Sequence, residues 1–161
     1  MIFLTLGTHP QQFDRLVKEV DELVGKGMLG GRIFAQIGHS SYIPKNFNYV
    51  KFLSLDEFNK NMAKASLIIT HAGEGNIGTS LQLNKKMIIV PRLKKFNEHT
   101  NDHQLELAKA IEREGRGIVV YDVKELSDAF EKAETFKPKK GKDEGRIMLL
   151  IEEFVKREKI A

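Results

Sequence analysis

Leu67-Ile68-Ile69-Thr70-His71-Ala72-Gly73-Glu74-Gly75-Asn76-Ile77-Gly78 is the stretch whose reading decides the fold. Leu67 to Thr70 is a short apolar run that predicts a buried strand. It breaks into a glycine-rich turn, and Ile77 and Leu81 then recur at helical spacing. A second β-rich run, Met87-Ile88-Ile89-Val90, ends at Pro91-Arg92. Beyond it lies a loop crowded with polar groups, Asn97, Glu98, His99, Asn101, Asp102, His103 and Gln104. Strand, glycine turn, helix, strand and polar loop is how a parallel α/β domain holds a phosphate-bearing ligand at the carboxyl ends of its strands.

The flanking chain extends the same alternation. Ile2 to Leu6 reads as a first strand broken by Gly7-Thr8-His9-Pro10, and a helix is expected to begin at Pro10. Phe13, Leu16, Val17, Val20, Leu23 and Val24 line one face of that helix. Arg32 to Ile37, closed by Gly38, and Asn48 to Leu53 read as the second and third strands. Ser54 or Asp56 is placed to cap a short helix carrying Phe58 and Met62. Asp102 to Glu114 predicts another helix and Ile118 to Tyr121 a sixth strand. A helix with Leu126, Ala129, Phe130 and Ala133 comes next. A basic linker, 137–142, leads to a terminal helix over about 144–159. The expectation is one domain over 1–161: a Rossmann-like, doubly wound parallel sheet with helices on both faces.

Composition narrows the classes. The 161 residues suffice for one sizeable core. No apolar run approaches the roughly 20 residues of a membrane span, and Met1-Ile2-Phe3-Leu4 lacks the basic region of a leader. Cysteine is absent, which excludes thiolate chemistry and agrees with a cytoplasmic setting. Lys plus Arg exceed Asp plus Glu by 26 to 22, with clusters at Lys85-Lys86, at Arg92-Lys94-Lys95 and over 137–142. These are read as solvated lysines or as a basic face towards anionic lipid or phosphate. No zinc-finger spacing or aromatic RNA-binding motif is present, so no nucleic-acid partner is expected.

Gly73-x-Gly75-x-x-Gly78 satisfies the dinucleotide fingerprint G-x-G-x-x-G. Two features count against a nicotinamide cofactor: the turn follows the fourth strand, and the next strand ends in Pro91-Arg92 where a ribose-binding acid is usual. Arg92 suits a ribose phosphate, so an NADP-dependent oxidoreductase stays as the alternative. Whatever the ligand, glycine lets backbone approach an anion, and the first helical turn offers free N–H groups to it. The amides and carboxylates of the 97–104 loop suit sugar hydroxyls, with Asn101 or Asp102 also placed to cap a helix. His71, His99 and His103 match no zinc pattern, and no G-x-S-x-G nucleophile turn occurs. No metal and no cofactor is expected.

These residues resemble glycosyltransferase family 28 in its nucleotide-sugar-binding half. Thr70-His71-Ala72-Gly73, Lys85 to Pro91 and Asn101-Asp102-His103-Gln104 carry the resemblance, together with an opening Leu4-Thr5-Leu6-Gly7-Thr8 followed by Phe13-Asp14. Val90 to Gln104 is similar to the stand-alone small subunits of two-component transferases, both bacterial exopolysaccharide subunits and the catalytic subunit of a dolichol-pathway N-acetylglucosaminyltransferase. The resemblance is strong over Thr70 to Gln104 and weak after about Tyr121.

The resemblance implies a GT-B-type donor domain for a UDP-sugar. Uracil is expected near Gln36-Ile37-Gly38 and Phe52-Leu53, and diphosphate on Gly73, Glu74, Gly75, Asn76 and Ile77, with Gly7 and Thr8 nearby. The sugar is expected at Asp102, His103 and Gln104. His71, Arg92, Glu98 and His99 complete the candidate set. Many family members carry a ribose-binding glutamate where this chain has Thr79. The implied reaction is an inverting, metal-free transfer to a lipid-linked acceptor. A membrane-anchored second subunit is expected to supply the acceptor surface and the base, and to hold the chain at the membrane. His9, His71 and His99 are possible participants, none assigned as base. A non-catalytic scaffold that activates a partner is the third reading.

Overall fold

In a computed structural model, which describes residues 1–139 and 144–160, six strands form one parallel sheet in the order β3-β2-β1-β4-β5-β6. They are β1 (Ile2–Thr5), β2 (Ile33–Gln36), β3 (Asn48–Val50), β4 (Leu67–Thr70), β5 (Lys86–Ile89) and β6 (Ile118–Val119). Helices α1 (Asp14–Gly25), α2 (Leu55–Lys64), α3 (Glu74–Gln82), α4 (His103–Arg113), α5 (Leu126–Thr135) and α6 (Glu144–Ile160) cover it. β1 pairs with β2 on one side and β4 on the other, Leu4 opposite Ala35 and Ile69. Strand order therefore reverses between β1 and β4, which opens a crevice at their carboxyl ends. All six expected strands are present: β4 spans the expected residues, β5 begins one residue early, and β1, β2, β3 and β6 are shorter than expected.

Period-two alternation within β1 builds two cores. Ile2, Leu4 and Leu6 point to one face and pack with Leu16, Val17 and Val20 of α1 and Leu126, Ala129 and Ala133 of α5. Phe3 points to the other, stacked on Phe34 at 6.2 Å and edge-on to Phe58 at 5.9 Å. That second face is covered by Met62 of α2, Ile77 and Leu81 of α3, and Leu107, Ala108 and Ile111 of α4, with Ile147 and Ile151 of α6. The terminal helix thus packs on the sheet's own helices. Of the expected linker, 140–142 lie outside the described residues.

Helix starts follow local chemistry. Ser54 caps α2 with the reciprocal Ser54–Glu57 capping box. The expected start of α1 at Pro10 is corrected: the helix begins at Asp14, whose N–H donates to Gln12 Oε1 at 2.8 Å. The carbonyls of Gln11 and Gln12 are drawn elsewhere, to the Arg92 guanidinium. No helix joins β2 to β3. That connection is pinned to α1 by two carboxylates: Asp14 accepts from the N–H groups of Ser41 and Tyr42. Buried Asp21 accepts from the Tyr42 hydroxyl at 2.7 Å and from the N–H groups of Lys45 and Asn46. Burial opposes the Asp21 charge, yet these hydrogen bonds outweigh it and hold its pKa below the usual value.

Lys85 and Lys86 are not solvated ornaments. Lys85 Nζ donates to the carbonyls of Ala63 and Ala65 at the end of α2. Lys86 Nζ reaches the carbonyls of Ala133 and Glu134 at the end of α5. Each puts a cation at the negative end of a helix.

Candidate functional site

The site is built where β1, β4 and β5 end. The chain leaves β1 through Leu6 into Gly7, which has a φ of +72°. It leaves β4 through His71 and Ala72 into Gly73, the residue that precedes α3. The His71 ring, 7% exposed, is wedged between these two turns. A Cβ on Gly73 would lie 2.1 Å from His71 Cε1, and one on Gly7 would lie 2.5 Å from His71 Nε2. Both glycines are therefore required by one imidazole. Gly38 (φ +56°) closes the crevice from β2, where a Cβ would stand 2.9 Å from the Gly7 carbonyl oxygen.

The remaining two glycines of the fingerprint have another role. Nothing lies within 4 Å of a Cβ built on Gly75 or Gly78. Gly75 is in the first turn of α3, exposed at the crevice, and no side chain caps that helix start. Its first N–H groups therefore carry no side-chain cap, and the positive end of the helix dipole lies behind them. Asn76, one turn in, is buried and inward: its Nδ2 donates to Thr70 Oγ1 at 3.1 Å and lies 3.4 Å from the Thr5 carbonyl oxygen. It ties α3 to β4 and β1.

Gln104, in the first turn of α4, joins the three elements. Its Oε1 accepts from the Arg92 N–H at 2.9 Å and the Ala72 N–H at 3.2 Å. Its Nε2 lies 3.1 Å from His71 Nδ1. Burial pushes the His71 pKa down to about 3, with nearby Arg92, His9 and His99 adding to the effect. His9, beyond β1, stacks on His99, beyond β5, with ring centres 4.5 Å apart. Burial and then the His99 ring lower the His9 pKa to about 4. Burial and then Arg92 lower that of His99, while Glu74 and Asp102 oppose the shift. The crevice thus holds a neutral imidazole cluster beside a guanidinium.

That guanidinium is committed. Arg92 is 2% exposed, and its Nη atoms donate to the carbonyls of Leu6 (2.8 Å), Gln11 (2.9 Å), Glu98 (3.1 Å) and Gln12 (3.2 Å). It also lies 5.0 Å over the Phe13 ring. Burial lowers its pKa to about 10, against the pull of Glu98. Glu98, fully buried, takes a two-pronged bond from Arg15 (Nε 3.0 Å, Nη2 2.9 Å) and the N–H of Leu93. Arg92 and Glu98 therefore hold the loops rather than face the crevice. This takes away the free arginine on which the nicotinamide alternative relied.

The other expected residues divide similarly. Asp102 Oδ1 accepts from the Lys94 N–H at 2.9 Å, within its own loop. Asp102 holds the N-cap position of α4 without a side-chain cap bond, and Asn101 Oδ1, one residue earlier, accepts from the His103 N–H at 3.0 Å. His103 is half-buried, its Nδ1 without a partner. Thr8 is exposed at the mouth. Gly7, His71, Gly73, Glu74, Gly75, His99 and Gln104 come together around the start of α3, and His9 joins them. Sequence reasoning missed Arg15 and Gln12, whose side chain donates to the carbonyls of Phe96 and Asn97. Partners more than 80 residues away leave no local signal. At the β2–β3 end, His39 meets Phe52 edge-on at 5.1 Å. Among the described residues no group of three or more His, Asp or Glu is arranged to hold a metal ion, and no helix is long and apolar enough to cross a membrane.

The profile of the glycosyltransferase family 28 C-terminal domain matches residues 1–147. The chain is 35% identical over 124 residues to the human UDP-N-acetylglucosamine transferase subunit ALG13, across 71% of this chain. The mouse protein of that name is 33% identical over 122 residues. The chain spans about a tenth of the length of these curated relatives. Among solved structures, an NMR structure of ALG13 superposes with a TM-score of 0.60 at 20% identity, covering 93% of this chain and 94% of that one. A glycotransferase of kitacinnamycin superposes at 0.63 with 18% identity, covering 95% of this chain and 37% of the other. These likenesses agree with the Rossmann-like parallel sheet of GT-B glycosyltransferases.

Proposed function

The chain belongs to the glycosyltransferase family 28 C-terminal domain family, and from that premise we propose that it is the donor-binding subunit of a two-component, inverting UDP-sugar transferase. All 161 residues form one nucleotide-sugar-binding domain in this reading. The observation that carries it is the uncapped start of α3 behind the His71–Gly73 turn, with open space over Gly75. A diphosphate there receives N–H groups from the first helical turn, which matches the charge that grows on UDP as it departs. The similarity to a UDP-N-acetylglucosamine transferase subunit supports both the UDP-sugar and the dependence on another chain.

The reaction class is an in-line displacement. An acceptor hydroxyl attacks the anomeric carbon, the bond to the diphosphate oxygen breaks, and a base takes the hydroxyl proton. The acceptor is a lipid-linked sugar in polysaccharide or glycan assembly. A membrane-anchored partner subunit contributes the acceptor surface and the base, and holds this chain at the cytoplasmic face. The crevice contributes donor binding through Gly7, Thr8, Gly38, His71, Gly73, Glu74, Gly75 and the backbone of Asn76, with His99, Asp102, His103 and Gln104 towards the sugar. Ile77, expected at the diphosphate, instead bonds the Gly73 carbonyl through its N–H and buries its side chain in the core. Arg92 and Glu98 support these loops from beneath.

UDP is expected to raise the melting temperature of the chain while NADPH leaves it unchanged. Gly75→Val, which fills the open space with a branched side chain, is expected to abolish the UDP effect without lowering the ligand-free melting temperature by more than a few degrees. No UDP effect on the wild-type chain refutes the proposal.

A further inference from the structure

The orientation of the Gln104 amide follows from its neighbours. Its Oε1 faces two backbone N–H groups, of Arg92 (2.9 Å) and Ala72 (3.2 Å), and neither is able to accept a hydrogen bond. The NH2 end must therefore face His71 Nδ1, 3.1 Å away. An NH2 group only donates, so Nδ1 accepts, and the proton of the neutral ring sits on Nε2. Burial keeps the ring neutral at any physiological pH. His71 Nε2 lies in the seam between Gly7 and Gly73, at the mouth of the uncapped α3.

We propose that Gln104 is a positioning residue which sets the His71 tautomer, making His71 Nε2–H a fixed neutral donor to the diphosphate of a nucleotide-sugar ligand. The inference rests on the donor-subunit reading above. Gln104 is 5% exposed; its Oε1 and one of its two amide N–H groups are taken within the protein, which leaves one N–H for the sugar expected there. A neutral donor suits this position. It keeps its polarity while the diphosphate gains charge, and no proton needs to enter a site that already holds the Arg92 cation. The same amide bridges Ala72 and Arg92, so the donor's direction is tied to the register of the β4 and β5 ends.

Gln104→Glu separates this role from a merely structural one. The carboxylate still accepts from the N–H groups of Ala72 and Arg92, but it now presents an acceptor to His71 Nδ1. The ring must then carry a proton on Nδ1, as the imidazolium at lower pH and as the reversed neutral tautomer at higher pH. Nitrogen-15 NMR of the full-length wild-type chain is expected to show protonated Nε2 and unprotonated Nδ1 from pH 6 to 8, and added UDP is expected to shift the Nε2 resonance. In Gln104→Glu the protonated nitrogen becomes Nδ1. The ratio of variant to wild-type Kd for UDP, in which the ligand's own titration cancels, is expected to climb with pH to about tenfold or more, the worth of one hydrogen bond to a charged group. Protonated Nδ1 in the wild-type chain overturns the proposal. So does UDP binding that leaves Nε2 unmoved, or a Kd ratio that stays near one at every pH. UDP that fails to bind the wild-type chain, with Nε2 protonated as stated, refutes the donor-subunit reading and leaves the tautomer assignment standing. If Gln104→Glu does not fold, the wild-type spectra alone decide.

Discussion

Replacing Arg92 by methionine is expected to loosen the whole carboxyl edge of the sheet. The side chain donates to four carbonyls, and methionine donates to none. The bonds to Leu6 and Glu98 are buried, and each orphaned carbonyl there costs about 1–3 kcal/mol. The partly buried bonds to Gln11 and Gln12 add about 0.5–1.5 kcal/mol each. The gross loss is thus about 3–9 kcal/mol. Part returns, because burial already disfavours the guanidinium charge and holds its pKa at about 10. Methionine also keeps apolar contact with Phe13, which the guanidinium covers at 5.0 Å. Swapping a buried ion pair for apolar groups is often neutral, but here only one side of the interaction is removed and the carbonyls stay. The net expectation is a loss of about 3 kcal/mol, or a melting temperature lowered by about 6–12 °C for a domain of this size. Calorimetric melting with and without UDP measures it. A melting temperature within about 2 °C of wild type, with UDP protection intact, refutes the view that Arg92 ties these loops together.

The glycines of the fingerprint should part company. Gly73→Ala drives a methyl into the His71 ring and is expected to cost about 1–3 kcal/mol and weaken UDP protection. Gly78→Ala enters open space inside α3 and is expected to gain about 0.5–1 kcal/mol; equal effects in melting curves contradict the assigned roles. Acid should destabilise the chain through its histidines. In the unfolded chain they take up protons near 6.5, whereas the folded values are about 3 for His71 and about 4 for His9. Stability therefore falls as pH drops below 6.5, by about 1.4 kcal/mol per pH unit for buried His71 and less for part-exposed His9. His71→Asn is expected to flatten that slope in denaturant titrations between pH 6.5 and 4; an unchanged slope removes His71 from the account.

Local pattern carried the fold. Apolar runs such as Leu67 to Thr70 and helical spacing such as Leu16, Val17, Val20 and Leu23 are set by neighbours in the chain, so strands and helices were legible. Pro10 was misleading for the same reason. A helix there suits the local chain, but the Gln11 and Gln12 carbonyls find a donor 80 residues away. The candidate site was legible as a list and not as a division of labour. Polar residues of the 92–104 loop look alike in sequence whether they face a ligand or a carbonyl. Only the assembled fold shows Glu98 paired to Arg15 and Gln104 paired to His71. The glycine fingerprint hid two requirements under one spacing: Gly73 makes room for an imidazole, Gly75 and Gly78 leave room outside.

Arg92 joins the exit of β1, the turn before α1 and the β5–α4 loop, segments first brought together when the parallel sheet closes on both sides of β1. Contacts so distant in the chain form late during folding. The crevice is consequently a certificate of completed assembly. A chain arrested with β1 and β2 paired but β4 and β5 undocked has no His71 wedge, no oriented α3 start and nothing for a nucleotide to hold. Ligand added to a refolding mixture should slow unfolding of finished molecules without hastening the steps that make them.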